Sequence, residues 1–344
     1  MKIAICHHYS LSHGGGGEKF VVELAEFLNN RGHTVSIYSL PFRRGNGIIK
    51  LSEGITYMEK WAHYFESDVA YYMFAPLLQI LFRTNGKRIA GMHSAISVDK
   101  DLKITNYRGQ GLFVYIEYIL LKFMNKLDLI TYTAVHKLLG TGKTFDKPTF
   151  IIPNWTKKNE IINQIDRPDR FTVIYVGKRS IAKGYDDFIK ISNFLSDLDI
   201  SFIATVENKP SLYTLESNIK HVGYIQHEYI LETLGKSHLL LHPTKHESFG
   251  IVILESLSVG TPVLTTPIEE HKEMGLPLFF SSNVNDFCKV IRSMYLTWNT
   301  QRQIYNRYIK ANTASISKFY ENNVLPKYEK MFLEVSNIDS RSKN

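Results

Sequence analysis

Two stretches of this chain follow the same plan: a short apolar strand, a glycine-bearing loop, then an amphipathic helix. The first opens at residues 2–6, passes through Gly14-Gly15-Gly16-Gly17, and continues into a helix with Phe20, Val21, Leu24 and Leu28 on one face. Arg31-Gly32 ends that helix, the glycine suiting a left-handed cap, and residues 34–40 alternate as the next strand. The second stretch opens at residues 171–176, closes the strand with Gly177, and runs through a loop to Gly184 before a helix predicted over 185–195. Strands joined through helices pair in parallel, so the pattern restricts the chain to the α/β class. Further strands are predicted at 69–73, 88–93, 127–131, 201–205, 238–242 and 262–265, a long apolar helix at about 111–124, and a closing helix at 319–335. Pro153-Asn154 and Pro168 punctuate a polar segment between the halves. The expected organisation is therefore a doubly wound domain over 1–165, a second over 166–318, and a helix and tail over 319–344 returning toward the first. Ligands of such folds bind at the carboxyl ends of the strands, so the loops carry the chemistry.

Composition narrows the function classes. With 344 residues, 44% hydrophobic and 12% aromatic, the chain can bury two sizeable cores and is not a disordered segment. Two cysteines, Cys6 and Cys288, make no disulfide framework, which points to a reducing compartment. The opening apolar run is too short for a signal peptide, and the 112–124 run is interrupted by Glu117 and Lys122, short of a membrane span. A cytoplasmic protein is expected, peripheral on the inner face of the cell membrane. The net charge of +8 is uneven: residues 1–165 carry 20 basic against 13 acidic side chains. That bias suits an anionic partner, a lipid surface or a lipid diphosphate, or is the charge of an ordinary basic domain. Nothing reads as a nucleic-acid recognition motif, and no nucleic-acid partner is expected.

Three motifs carry chemistry. Backbone N–H groups of Gly15, Gly16 and Gly17 can approach an anion at a helix N-terminus. An NAD site would need a glycine where Lys19 stands and an acid at the end of the second strand, which reads Ser39-Leu40; the alternative to a ligand is a tight turn. The loop with Lys178, Arg179 and Lys183 can neutralise a nucleoside diphosphate without a metal, or is a solvated basic loop. The third motif runs His246-Glu247-Ser248-Phe249-Gly250-Ile251 and on to Glu255, then Gly260-Thr261-Pro262. Glu255 lies about two turns into an apolar helix, where a carboxylate can accept both hydroxyls of a ribose, while the N–H groups of Phe249, Gly250 and Ile251 face a phosphate or sugar.

Glu247 and Glu255, with seven residues between them, resemble the Glu-x7-Glu signature of glycosyltransferase family 4. The other segments fall in that family's order: the glycine loop to Glu18, Arg31-Gly32-His33, His93 at a strand end, Pro153-Asn154, Gly177 to Gly184, and Gly260-Thr261-Pro262. The resemblance implies a GT-B fold, two Rossmann-like domains facing across a cleft. It implies a retaining transferase using a nucleoside diphosphate sugar, uridine ahead of guanosine, with a lipid-linked or glycan acceptor and no tightly bound cofactor or metal. It places Glu255 on the ribose, Glu247 on the donor sugar, Lys178 and Lys183 on the leaving diphosphate with Arg179 beside them, and His93 near the reacting groups. Two departures stand out. Lys178 replaces an arginine and loses its bidentate fork. Glu269 and Glu270 occupy the positions of a glycine pair ahead of Glu273, where carboxylates are unfavourable unless the loop bends away. A same-fold epimerase and a degenerate nucleotide-sugar or glycan binder are the alternatives. His7, His8 and His13 read as surface histidines, His242 as packing at a strand end, Asp99 and Asp101 as a solvated loop, and the aromatic-basic stretch 61–88 as core or lipid-facing surface.

Overall fold

The structure is a computed structural model. It describes residues 1–42, 45, 50–73, 76–92, 132–135, 148–158, 166–206, 218–223, 225, 227–247 and 249–337. Internal contacts divide the chain into two compact units, one of Met1–Pro153 with Val324–Asn344, the other of Asn154–Asn323.

In the first unit, β1 (Lys2–His7) leads into α1 (Gly16–Asn30) and β2 (Thr34–Ser39). Then follow β3 (Ile55–Glu59), β4 (His63–Phe65), β5 (Val69–Met73), α2 (Pro76–Leu81), β6 (Phe82–Thr84), β7 (Lys87–Met92), β8 (Tyr132–Val135) and β9 (Thr149–Ile151). Seven strands form one parallel sheet in the order β3-β2-β1-β5-β7-β8-β9, while β4 and β6 pair separately. Chain order reverses between β1 and β5, a topological switch point. Ala4, Cys6, Ala70 and Tyr72 pack with Tyr38, Phe65 and Phe82 on one face. On the other, Tyr71 and Phe20 meet Tyr328 and Phe332 of the last helix. The predicted strand at 127–131 and the helix at 111–124 lie outside the described residues, as do Asp99 and Asp101; β8 begins at Tyr132.

The second unit holds β10 (Phe171–Tyr175), α3 (Tyr185–Phe194), β11 (Ile200–Ala204), β12 (Ile219–His221), α4 (His227–Gly235) and β13 (Leu239–His242). After these come α5 (Ile251–Ser258), β14 (Val263–Thr265), α6 (Glu269–Lys272), β15 (Phe279–Phe280), α7 (Val284–Thr300) and α8 (Arg302–Ser315). A last helix, α9 (Glu321–Asn337), begins in this unit and continues into the first from Val324 onward. Six parallel strands run β12-β11-β10-β13-β14-β15, with the switch point between β10 and β13. β10 is buried on both faces, as central parallel strands are. Phe171, Val173 and Tyr175 pack with α3 and α7, and Ile174 packs with Ile253, Leu254 and Leu257 of α5. The sheet therefore delivers the loops after β10 and β13 side by side, where doubly wound folds bind ligands.

Candidate active site

The basic loop after β10 is a built structure. Tyr175 is buried beneath it and donates its hydroxyl to the Lys178 carbonyl at 2.7 Å, with the Lys183 carbonyl 3.3 Å away. Residues 181–183 form a 3-10 turn capped by the Ser180 hydroxyl, which accepts from the Lys183 N–H. Gly184 then reverses the chain at φ +71°, and a Cβ there would lie 1.9 Å from the Pro243 carbonyl oxygen, so only glycine fits. The loop after β13 is tied to the same turn: the Lys245 N–H and the Thr244 hydroxyl both donate to the Ala182 carbonyl, at 2.9 and 3.1 Å.

This tie brings Lys183 and Glu247 together. The Lys183 ammonium donates to Glu247 Oε2 at 2.7 Å, and His242 Nε2 lies 3.5 Å from the same oxygen. Burial pushes the Glu247 carboxyl up, but the His242 imidazole and the Lys183 ammonium outweigh it and hold the group well below the usual carboxylate range. His242 is buried at the end of β13. Arg179 lies over the Tyr185 ring, 5.3 Å from its centroid, and Lys178 is exposed.

Beyond Glu247, the Phe249 ring enters the core, where it meets Phe319 edge-on. Gly250 takes φ +82° and α5 starts at Ile251, so the main chain of 249–251 forms the helix start while the Phe249 ring is committed to packing. Glu255 is 4% exposed in the second turn of α5. Glu269 turns to solvent and pairs with Lys272 at 2.8 Å, and both Glu269 and Glu270 sit in the first turn of α6, where the helix dipole favours carboxylates.

In the first unit the glycine loop is closed by its own helix. The Gly15 N–H donates to Glu18 Oε2 at 2.7 Å, and Glu18 Oε1 pairs with His7 Nε2 at 2.7 Å. Burial raises the Glu18 carboxyl, yet His7 and the amides of Gly15 and Glu18 bring it below its ordinary value. A Cβ on Gly15 would stand 2.7 Å from Glu18 Oε2, and one on Gly17 3.3 Å from the His7 ring, so a side chain at either position would press on the His7–Glu18 pair.

Residues 157–310 match the sequence pattern of the family described as Glycosyl transferases group 1. Over 80% of the chain, the sequence is 22% identical to the phosphatidylinositol N-acetylglucosaminyltransferase gpi3 subunit of Schizosaccharomyces pombe, of which it spans 67%. The fold of sucrose-phosphate synthase from Thermosynechococcus elongatus superposes with a TM-score of 0.73 at 16% identity, covering 97% of this chain and 98% of that one. This chain has the GT-B fold, and its residues 157–310 carry the group 1 glycosyltransferase pattern. Anabaena HepE, crystallised with UDP and glucose, superposes with a TM-score of 0.68 at 13% identity over 98% of this chain and 99% of its own.

Within this glycosyltransferase, the structure joins Lys183 directly to Glu247 and joins Lys178 to the same turn through Tyr175. It places Gly250, Ile251 and Glu255 on one short helix and Gly15, Gly16 and Gly17 in the other unit. His93 lies outside the described residues. His7 corrects its reading as a surface histidine: it is 1% exposed, because the Glu18 carboxylate draws it inward. In the 61–88 stretch, Trp61 and Tyr64 are exposed while Phe65, Tyr71, Tyr72 and Phe82 are core. Sequence reasoning missed Tyr175, Thr244 and the proximity of His242 to Glu247. Only the Gly15-x-x-Glu18 spacing offered a local signal, that of a capping box.

Proposed function

We propose that this glycosyltransferase is a retaining family 4 enzyme that moves a sugar from a nucleoside diphosphate, uridine in preference to guanosine, onto a hydroxyl of a lipid-linked or glycan acceptor. The observation carrying this reading is the Lys183–Glu247 pair at the switch point, on a loop with Lys178 and Arg179. In this reading Glu255 accepts the ribose hydroxyls, and the main chain of Phe249, Gly250 and Ile251 holds phosphate or sugar oxygens. Glu247 orients the donor sugar, Lys178, Arg179 and Lys183 take the diphosphate charge, and Gly15, Gly16, Gly17 and His93 serve the acceptor side. The acceptor oxygen bonds to the anomeric carbon on the face the diphosphate leaves. The carbon–phosphate oxygen bond breaks, and the hydroxyl proton passes to a phosphate oxygen of the departing nucleotide. Such chemistry asks for positioning and charge stabilisation more than for a protein base. The loop cations replace a metal in this scheme, so activity should survive EDTA. The donor assignment draws on the UDP bound to the HepE fold and the acceptor on the name of the yeast relative.

No helix among the described residues is long and apolar enough to cross a membrane. Exposed Trp61, Tyr64 and Phe42 on the basic first unit support a peripheral position on the cytoplasmic face of an anionic membrane. A thermal-shift screen of UDP, GDP, ADP and their sugar conjugates tests the donor. Glu255→Gln should weaken nucleotide binding about tenfold, the loss of one charge-assisted bond. Lys183→Ala should chiefly lower turnover. Equal activity of both variants with the native protein would remove the site assignment, and nucleotide binding without transfer to any glycan or lipid would point to a degenerate binder.

A further inference from the structure

Lys245 stands two residues ahead of Glu247 in the loop after β13, and the first turn of α3 grips its ammonium. Asp186 Oδ2 lies 3.2 Å from it and Asp187 Oδ2 3.1 Å. Burial lowers the Lys245 pKa, but the Asp187 and Asp186 carboxylates outweigh it and raise the group above its ordinary value. The main chain closes the same seam. The Lys245 N–H and the Thr244 hydroxyl both reach the Ala182 carbonyl, and Gly184 passes too close to Pro243 for any Cβ. Lys183 stands on one side of this seam and Glu247 on the other, and the two meet at 2.7 Å. Lys190 approaches the same two carboxylates, at 3.7 and 4.0 Å, but from within α3 itself.

Resting on the donor reading above, we propose that Lys245 is a positioning residue for glycosyl transfer: its grip on Asp186 and Asp187 holds the loop of Glu247 in register with the turn of Lys183. Two cations and two carboxylates balance at this clamp, so Lys245 is committed to the acids rather than offered to the diphosphate. The carboxylates suit the dipole at the start of α3 and repel an anion from it, whereas the first turn of α5 carries no acid. The clamp thereby leaves the start of α5 as the place for the donor phosphates. A pair as exposed as this one, with the Lys245 side chain 45% exposed, adds little to global stability. Its worth lies in geometry, because a displacement of about 1 Å at the reacting groups can cost about a hundredfold in rate.

Lys245→Met keeps the aliphatic stem and removes the charge, and D186N/D187N removes the other half of the clamp, with D186N alone as the second form should the double variant fail to fold. Without any ligand, both should speed hydrogen exchange of the 244–247 amides about threefold, while Lys190→Met, which touches the same acids from α3, should not. Unchanged exchange in K245M, or an equal effect in K190M, overturns the clamp. Calorimetry with UMP, UDP-glucose and UDP-N-acetylglucosamine then reads the positioning role. K245M and D186N/D187N should each bind the UDP-sugars several-fold more weakly and bind UMP as the native protein does. Tighter UDP-sugar binding by D186N/D187N would mean that the freed Lys245 acts on the diphosphate directly, and equal losses for UMP and the UDP-sugars would make the clamp purely structural; either result overturns the proposal. A native protein that binds none of the three nucleotides counts against the donor reading, and the clamp then stands or falls on the exchange rates.

Discussion

His238 shows how a single buried side chain sets the pH response of the second unit. It stacks on Phe171, meets Trp298 edge-on, accepts from the Thr172 N–H at 3.0 Å through Nδ1, and is fully buried. Burial first, then the nearby Arg167 and Arg302, push its pKa down to about 3. The folded state therefore keeps it neutral while the unfolded chain protonates it below about pH 6.5. A folded pKa depressed in this way gives stability that is present above 6.5 and is lost as pH falls toward 3, by at most about 1.4 kcal/mol per pH unit. Urea melts at pH 7, 6 and 5 should show that decline, and His238→Phe should flatten it even if its absolute stability is lower. An unchanged slope in the variant would show that other groups govern the acid response. Glu247 acts in the same direction at lower pH: its pairing contributes fully above the ordinary carboxylate value and fades as pH drops through its depressed one.

At the scale of the element, one hydroxyl pins the start of the basic loop. Tyr175 points outward from the end of β10 only because β10 alternates, with Phe171, Val173 and Tyr175 on one face of the sheet. Its ring fills the space against Tyr185 and Phe188, and its hydroxyl fixes the Lys178 carbonyl. Tyr175→Phe keeps the ring and removes the pin, at a cost of about 1 kcal/mol in stability. On the donor reading, affinity for UDP should drop several-fold while affinity for UMP changes little, because the loop serves the distal phosphate. Equal losses for both nucleotides would make Tyr175 a packing residue only. The last helix carries a comparable device in the first unit. Glu329 of α9 receives Arg31 Nε at 3.1 Å and His33 at 3.1 Å, so the Arg31-Gly32-His33 turn anchors that helix. Burial raises the Glu329 carboxyl, and these two partners bring it below its usual value.

For the whole molecule, two compact units, each built on its own large parallel sheet, predict unfolding that is not two-state. Scanning calorimetry should give a van't Hoff enthalpy smaller than the calorimetric one. UDP should protect amides of the 176–184 and 243–255 segments in hydrogen exchange before those of β1 and β2. Protection that begins in β1 and β2 would move the nucleotide to the first unit.

How much of this was written in the chain follows from the range of each interaction. Strand alternation and helix periodicity are local, so β1, β2, β5 and β10 and the helices α1, α3 and α9 were readable to within a few residues. The short strands β4, β6, β12 and β15 were not, because two or three residues carry no period. Gly14 to Gly17, the basic loop and the two glutamates were visible as residue types at fixed spacings, and so was the order in which they occur. Contacts across the sheet were hidden. Glu247 meets Lys183, 64 positions earlier, because β10 and β13 are neighbours, and that pairing is decided by packing rather than by sequence distance. For the same reason His242 read as a strand end and proved to face Glu247, and His7 read as surface and proved to be the buried partner of Glu18. The sequence by itself determined the longer periodic elements and which chemical groups the loops carry. Tertiary structure alone decided which of those groups share a charge, since electrostatic pairing depends on distances in space that only strand order and burial impose.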